Sequence, residues 1–297
     1  MKMVNDAADY PILIFTDAES GIKPFMVGRH NAIAATGNEQ HAYIFGKVVG
    51  VTARKKGYNV VCDPVVDMNA GSQRSLGTDP ARVSKLAEAI ARGMHDAGVL
   101  NIAKHYPSAN NPTGVDSHMG EAVSPETKED LLNRALIPYK HLIDEGLLDG
   151  IMTSHKKMIN IDPDRPTSLS KPVIDIIREL GFDGISITDA LCMMGIRAKF
   201  GDVDAKGFAL AAGNDTILPY AGNHRKLFED YCEAYDKGLI PDERLDEAVR
   251  RILEAQHKAM TLPKDAELTD EEIEMFYSIN KDGVYAKCDE GVTPNIS

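Results

Sequence analysis

"GISITDALCMMG" (residues 184–195) opens as a buried strand and then breaks its own pattern. Ile185, Ser186 and Ile187 form a short β-like run, Thr188 extends it, and Asp189 places a carboxylate where the apolar character stops. A lone acid at a strand tip has a bland reading, because strands end and polar residues end them. It gains meaning when other strands end the same way. Apolar, β-branched runs recur in "YPILIFT" before Asp17, "NVVCDPVVDM" (59–68), "GVLNIAKH" up to His105, "DGIMTSH" up to His155 and "NDTILPY" up to Tyr220. Asp17, Lys104 with His105, His155 and Asp189 thus stand at the carboxyl ends of separate predicted strands. In a parallel barrel all such ends open on one face, where barrel enzymes hold their active sites.

The segments between these runs read as helices. "TDPARVSKLAEAIARGMHDAG" offers Asp79 as N-cap, Pro80 at the first helical position, Val83, Leu86, Ile90 and Met94 on one face, and Gly98 as the stop. "SPETKEDLLNRALIPYKHLIDEG" repeats the scheme with Ser124, Pro125 and Gly146. "SKPVIDIIRELG" and "DVDAKGFALAAG" are shorter versions, and two helices follow in succession over 223–237 and 242–260. Thr269 and Glu272 predict a capping box that opens one more helix. The tail from Gly283 has no strong pattern and reads as a frayed end. Strand and helix alternate to about residue 260, which is the βαβα signature of an α/β parallel sheet or barrel.

Composition narrows the chemistry. The chain has 297 residues, 43% hydrophobic and 26% charged, as an ordinary globular protein does. A net charge of −12 speaks against a grip on phosphate backbones, so no nucleic-acid partner is expected. No apolar stretch approaches the ~20 residues of a membrane span, and "MKMVNDAADYPILIF" lacks the apolar core of a secretory signal. The expectation is no membrane partner and a cytoplasmic location, with export of a longer parent left open. Cys62, Cys192, Cys232 and Cys288 form no ligand pattern and read as reduced thiols. HExxH, GxSxG, GxGxxG and GxxxxGK are absent, so no metal and no cofactor are expected. His30, His41, His95, His141, His224 and His257 lack partners at ligand spacing and are expected on the surface.

The loop "KHYPSANNPTGVDSHMGEAVSP" is long and rich in Pro, Gly, Asn and Ser. Structureless loops beyond about 12 residues are usually functional. It holds Asp116 and His118 two apart, a spacing at which a carboxylate can orient an imidazole for general acid/base work near neutrality. A solvated loop tip with incidental Asp and His is the alternative.

Taken in order, "IFTDAESG", "DPVVDMN", "QRSLGTDP", "AKHYP", "DSH", "IDPDRPTSLS", "GFDGISITDAL" and "AAGNDTIL" resemble the motif series of glycoside hydrolase family 3, in its β-N-acetylglucosaminidase branch. The resemblance implies a TIM-like (β/α) barrel over residues 1–262 and a C-terminal extension over 263–297, the lead-in to an absent second domain. It also implies that the first βα unit of the barrel is missing, which would leave the strand ending at Asp17 on an open edge. Its implied activity is that of a retaining, exo-acting β-N-acetylhexosaminidase, a double displacement through a covalent glycosyl-enzyme on a small carbohydrate substrate. Asp189 would be the nucleophile, His118 the acid/base oriented by Asp116, and Asp17, Arg74, Lys104 and His105 the ligands of the sugar hydroxyls, with His155 also in the substrate site. The chain departs from the family where "PSANN" replaces PGHG, "SGIKPF" replaces GGRVQR, and Ala190 stands where a second Asp is usual. A β-glucosidase or phosphorylase fragment, and a non-catalytic sugar-binding barrel, remain open readings. So does the partner, a second copy in a homodimer or a missing domain.

Overall fold

The computed structural model describes residues 11–69, 72–112, 114–115, 120–191, 200–218 and 224–285. The chain divides into two compact units, the first drawn from the described residues of Met1–Lys104, Arg134–Asp149 and Glu254–Ser297, the second from those of His105–Asn133 and Gly150–Leu253.

In the first unit, parallel strands β1 (Phe15–Asp17) and β2 (Val60–Cys62) pair from Phe15↔Val60 to Asp17↔Cys62, and Val60 pairs in turn with Leu100 of β3 (Leu100–Tyr106). Among the described residues of this unit β1 is the edge strand. The crossovers are helical: α1 (His30–Thr36), α2 (Glu39–Lys55) and α3 (Pro80–Asp96). The Asp79 side chain accepts from Ala81 N, Gly98 takes φ +84°, and Val83, Leu86, Ile90 and Met94 are buried, all as their spacing predicts. What spacing does not disclose is how close α2 and α3 come. A Cβ at Gly46 would lie 2.1 Å from Ile90 O, and one at Gly93 2.2 Å from Tyr43 O, so only glycine permits this approach.

The helix foreseen from Ser124 starts later and is broken. Ser124 is taken up in a short parallel pairing with Met158, so Thr127 becomes the N-cap, in a capping box with Asp130. The helical turn Lys128–Asp130 passes into a π-helical turn, Leu131–Ala135, before α4 (Ile137–Asp144). Pro138 supplies the reason: it has no N–H to give to the carbonyl four residues back, so the ladder opens there.

In the second unit, β4 (Gly150–Thr153) and β5 (Ile185–Thr188) run parallel in register from Gly150↔Ile185 to Thr153↔Thr188. Every residue of both is buried, as expected of parallel strands covered on two faces. Helices α5 (Lys171–Glu179), α6 (Asp202–Ala212) and α7 (His224–Asp236) belong to this unit. The strand foreseen in "NDTILPY" is present among the described residues only as a parallel bridge, Ile187↔Thr216. Asp215 beside it is fully buried as a side chain, holding Ser186 N at 2.9 Å, Arg178 Nη2 at 3.1 Å, Arg251 Nη1 at 3.4 Å and Arg244 Nη2. Arg244 and Arg251 come from α8 (Asp242–Thr261).

One expectation about outlying residues changes, that of histidines on the surface. His30 is completely buried, its Nε2 2.7 Å from Asp63 Oδ1, and His41 is nearly so, its Nε2 3.2 Å from Ser278 Oγ. His95 and His141 meet Asp149 and Glu88 at 2.6 Å. His30 and His41 sit on helix faces turned inward, which spacing to other ligands could not reveal, whereas His95 and His141 stay partly exposed. Within the expected C-terminal extension, Thr269 and Glu272 do form the capping box of α9 (Asp270–Tyr285). Phe276 and Ile279 of α9 are fully buried, with Phe276 stacked on Phe45 of α2 at 6.3 Å and edge-on to Phe25 at 6.1 Å. Asn280 Oδ1 accepts from Gly28 N at 2.5 Å, so this helix is part of the first unit's core.

Candidate active site

The first unit gathers a charged cluster where β1 and β3 end. Lys104 Nζ is 2.5 Å from Asp17 Oδ1 and 2.9 Å from Glu19 Oε1. Arg74 grips Glu19 with a fork, Nε to Oε2 and Nη2 to Oε1, both at 2.7 Å. Parallel pairing through β2 explains the placement: Asp17 closes β1, the chain continues past it to Glu19, and the bridge between Val65 and Lys104 brings β3 level with them. The Lys104 side chain is 3% exposed, whereas that of Asp17 is 68% exposed. A buried ammonium needs compensation. Burial alone would push Lys104 down, but the charges of Asp17 and Glu19 hold it above the ordinary lysine value. Burial would likewise push Glu19 up, yet the hydrogen bonds and charges of Arg74 and Lys104 hold its carboxyl far below the ordinary carboxylate range. Lys104 and Glu19 therefore stay ionised near neutrality. The cluster presents an exposed carboxylate backed by fixed cations, a set of acceptors and donors suited to vicinal hydroxyls.

The second unit holds Asp189 one residue beyond β5. Its amide donates to Thr153 O at 2.9 Å, and its Oδ1 accepts from Ala190 N at 2.7 Å. His155, two residues beyond β4, is 4% exposed and makes hydrogen bonds to Ser168 Oγ through Nδ1 (2.7 Å) and to Ala190 O through Nε2 (3.0 Å). His105 is half-buried in β3, and its carbonyl accepts from Ser108 N at 2.8 Å. Asp116 and His118 lie outside the described residues.

Asp17, Arg74 and Lys104 are thus brought together, and His155 and Asp189 meet through Ala190. Glu19, which joins Arg74 to Lys104, was missed by sequence reasoning. Its signal was present, since alternation along an extended segment puts positions 17 and 19 on one side. Ser168, Thr153 and Asn214 were also missed, and no local pattern marks them.

The fold is similar to that of a solved glycoside hydrolase family 3 β-N-acetylglucosaminidase from Paenibacillus sp. str. FPU-7, with a TM-score of 0.84 and 29% identity over 95% of this chain and 58% of that one. The TIM-like α/β barrel expected from the sequence is therefore the fold. Among curated proteins, the chain is 32% identical over 272 residues to "Beta-hexosaminidase LpqI" of Mycobacterium tuberculosis (strain ATCC 25618 / H37Rv), covering 84% of this chain and 69% of the relative. It is 29% identical over 286 residues to "Beta-hexosaminidase A" of Pseudoalteromonas piscicida, with 84% of this chain and 48% of the relative covered. The chain spans about half the length of the latter. Residues 1–255 match the description "Glycosyl hydrolase family 3 N terminal domain", and the chain belongs to that family.

Proposed function

We propose that the protein is a retaining, exo-acting β-N-acetylhexosaminidase that releases terminal β-linked N-acetylglucosamine. The observation that carries this reading is the Asp189 carboxylate, buttressed by its own backbone at the end of a buried parallel strand, together with the hexosaminidase names of the relatives. Asp189 attacks the anomeric carbon and forms the glycosyl ester, and His118, oriented by Asp116, gives a proton to the leaving oxygen and later takes one from water. Asp17 binds sugar hydroxyls as acceptor; Lys104 and Arg74 hold that edge of the site charged and fixed, and His105 adds a further polar group. His155 acts on the substrate through the segment it holds. The protein works in the cytoplasm without a metal or cofactor, as a single chain, a homodimer, or one part of a longer enzyme.

The test is hydrolysis of aryl β-N-acetylglucosaminide and aryl β-glucoside by the purified chain, with and without inorganic phosphate, following the anomer first released by NMR. Release of β-N-acetylglucosamine with no phosphate requirement is expected. Release of the α-anomer would refute the retaining mechanism. A strict phosphate requirement would make the protein a phosphorylase.

A further inference from the structure

Asp189 sits in a closed circuit of hydrogen bonds within the second unit. Asp189 N donates to Thr153 O, and Ala190 N donates to Asp189 Oδ1. Ala190 O is met by His155 Nε2, and His155 Nδ1 by Ser168 Oγ. Ser168 O accepts from Asn214 Nδ2 at 2.8 Å, and Asn214 Oδ1 accepts from Thr153 Oγ1 at 2.8 Å, which returns the circuit to the residue where it began. Thr153, Ser168 and Asn214 are fully buried.

The partners dictate the ring's orientation. A carbonyl can only accept, so His155 Nε2 carries a proton facing Ala190, while Nδ1 meets the Ser168 hydroxyl. The Nε2–H is thereby committed to the backbone carbonyl of Ala190, a structural use of histidine rather than a proton-transferring one. A ring with both nitrogens engaged in this way cannot turn toward a ligand without leaving buried polar groups unpaired. Residue 190 is therefore clamped on both sides, its N–H on the Asp189 carboxylate and its C=O on His155.

We propose that His155 is a positioning residue for Asp189: through Ala190 it holds the carboxylate with Oδ1 occupied by an amide, so that Oδ2 is the oxygen that bonds to the anomeric carbon. Ser168 holds the ring's other nitrogen, and Asn214 and Thr153 hold Ser168. This rests on the reading of Asp189 as the nucleophile. Ala190 serves this purpose with its backbone alone, which is why the circuit tolerates alanine at that position.

The experiment uses the 297-residue chain and 5-fluoro-N-acetylglucosaminyl fluoride. Asp189 Oδ2 attacks C1, the C1–F bond breaks with its electron pair leaving as fluoride, and the glycosyl ester accumulates because the C5 fluorine slows its hydrolysis. Mass spectrometry follows the rate of labelling and peptide mapping finds the labelled residue, alongside the thermal midpoint of each variant. Wild type should label on Asp189. A displacement near 1 Å is worth about 10²-fold, so His155→Ala should label about 10²-fold more slowly at saturation, with little change in half-saturating concentration. His155→Gln, whose amide can still donate to Ala190 O, should recover most of that rate. The proposal is overturned if His155→Ala labels at the wild-type rate, or if both variants fall only in proportion to a lowered midpoint. Should His155→Ala fail to fold, Ser168→Ala, which releases the ring's Nδ1, carries the comparison and should label more slowly than wild type; labelling at the wild-type rate in it overturns the proposal. If wild type labels elsewhere or not at all, it is the assignment of Asp189 that fails.

Discussion

Replacing Glu19 by Gln removes one negative charge from a cluster that is otherwise unchanged in shape. In the wild type, buried Lys104 faces Asp17 and Glu19, and Arg74 is forked on Glu19. Removing one partner of a buried pair typically costs about 3–5 kcal/mol. Asp17 still faces Lys104 in the variant, and the Arg74 side chain is 37% exposed and regains water. The expected loss at pH 7 is therefore nearer about 2 kcal/mol. Its pH dependence has a definite sign. Glu19 is held far below the ordinary glutamate value of 4.5 in the folded state, so its stabilisation is complete above that value and is lost as pH falls below it, where the unfolded chain takes up a proton that the folded chain refuses. Urea unfolding of both proteins from pH 3 to pH 8 measures this. The gap between them should be constant above about pH 5.5 and shrink steadily below about pH 4.5. A gap that is flat across the whole range, or one under about 0.5 kcal/mol at pH 7, would refute the assignment of Glu19 as the counter-charge. In the same variant, the Michaelis constant for the N-acetylglucosaminide should rise as Lys104 and Asp17 lose their fixed geometry.

Asp189→Asn should leave the fold intact, because the side-chain carbonyl can still accept from Ala190 N, yet lower turnover by several orders of magnitude; a folded variant with wild-type turnover would remove the nucleophile. His118→Ala should slow a substrate with a poor leaving group far more than an activated aryl glycoside, since general acid help is worth ~10²- to 10⁴-fold only where protonation is needed; equal losses on the two substrates would deny His118 that role. Phe276→Ala empties a fully buried ring site against Phe45 and Phe25 and should cost about 3–5 kcal/mol in denaturant unfolding. A cost below about 1 kcal/mol would mean that α9 is not a core element.

Strand identity and site polarity were legible in the sequence because they are local. The runs around Asp17, Lys104, His155 and Asp189 each announce a strand and its end, and Asp79, Pro80 and Gly98 bound α3 through chemistry contained within a few residues of each terminus. The ordered motifs likewise pointed to the family and to its barrel. What the sequence did not disclose depends on distant segments meeting. Glu19 becomes the hinge of the charged cluster only because Arg74 and Lys104 reach it from 55 residues away along the chain and from the end of another strand. Ser124 stops being a helix cap because Met158 pairs with it, and His30 leaves the surface because Asp63 waits behind α1. His155 shows the division most clearly. Its place at a strand end was a matter of sequence, but its partners, Ser168 and Ala190, lie 13 and 35 residues away. A hydrogen bond binds donors to acceptors in space, and no spacing along the chain encodes which carbonyl an imidazole will meet.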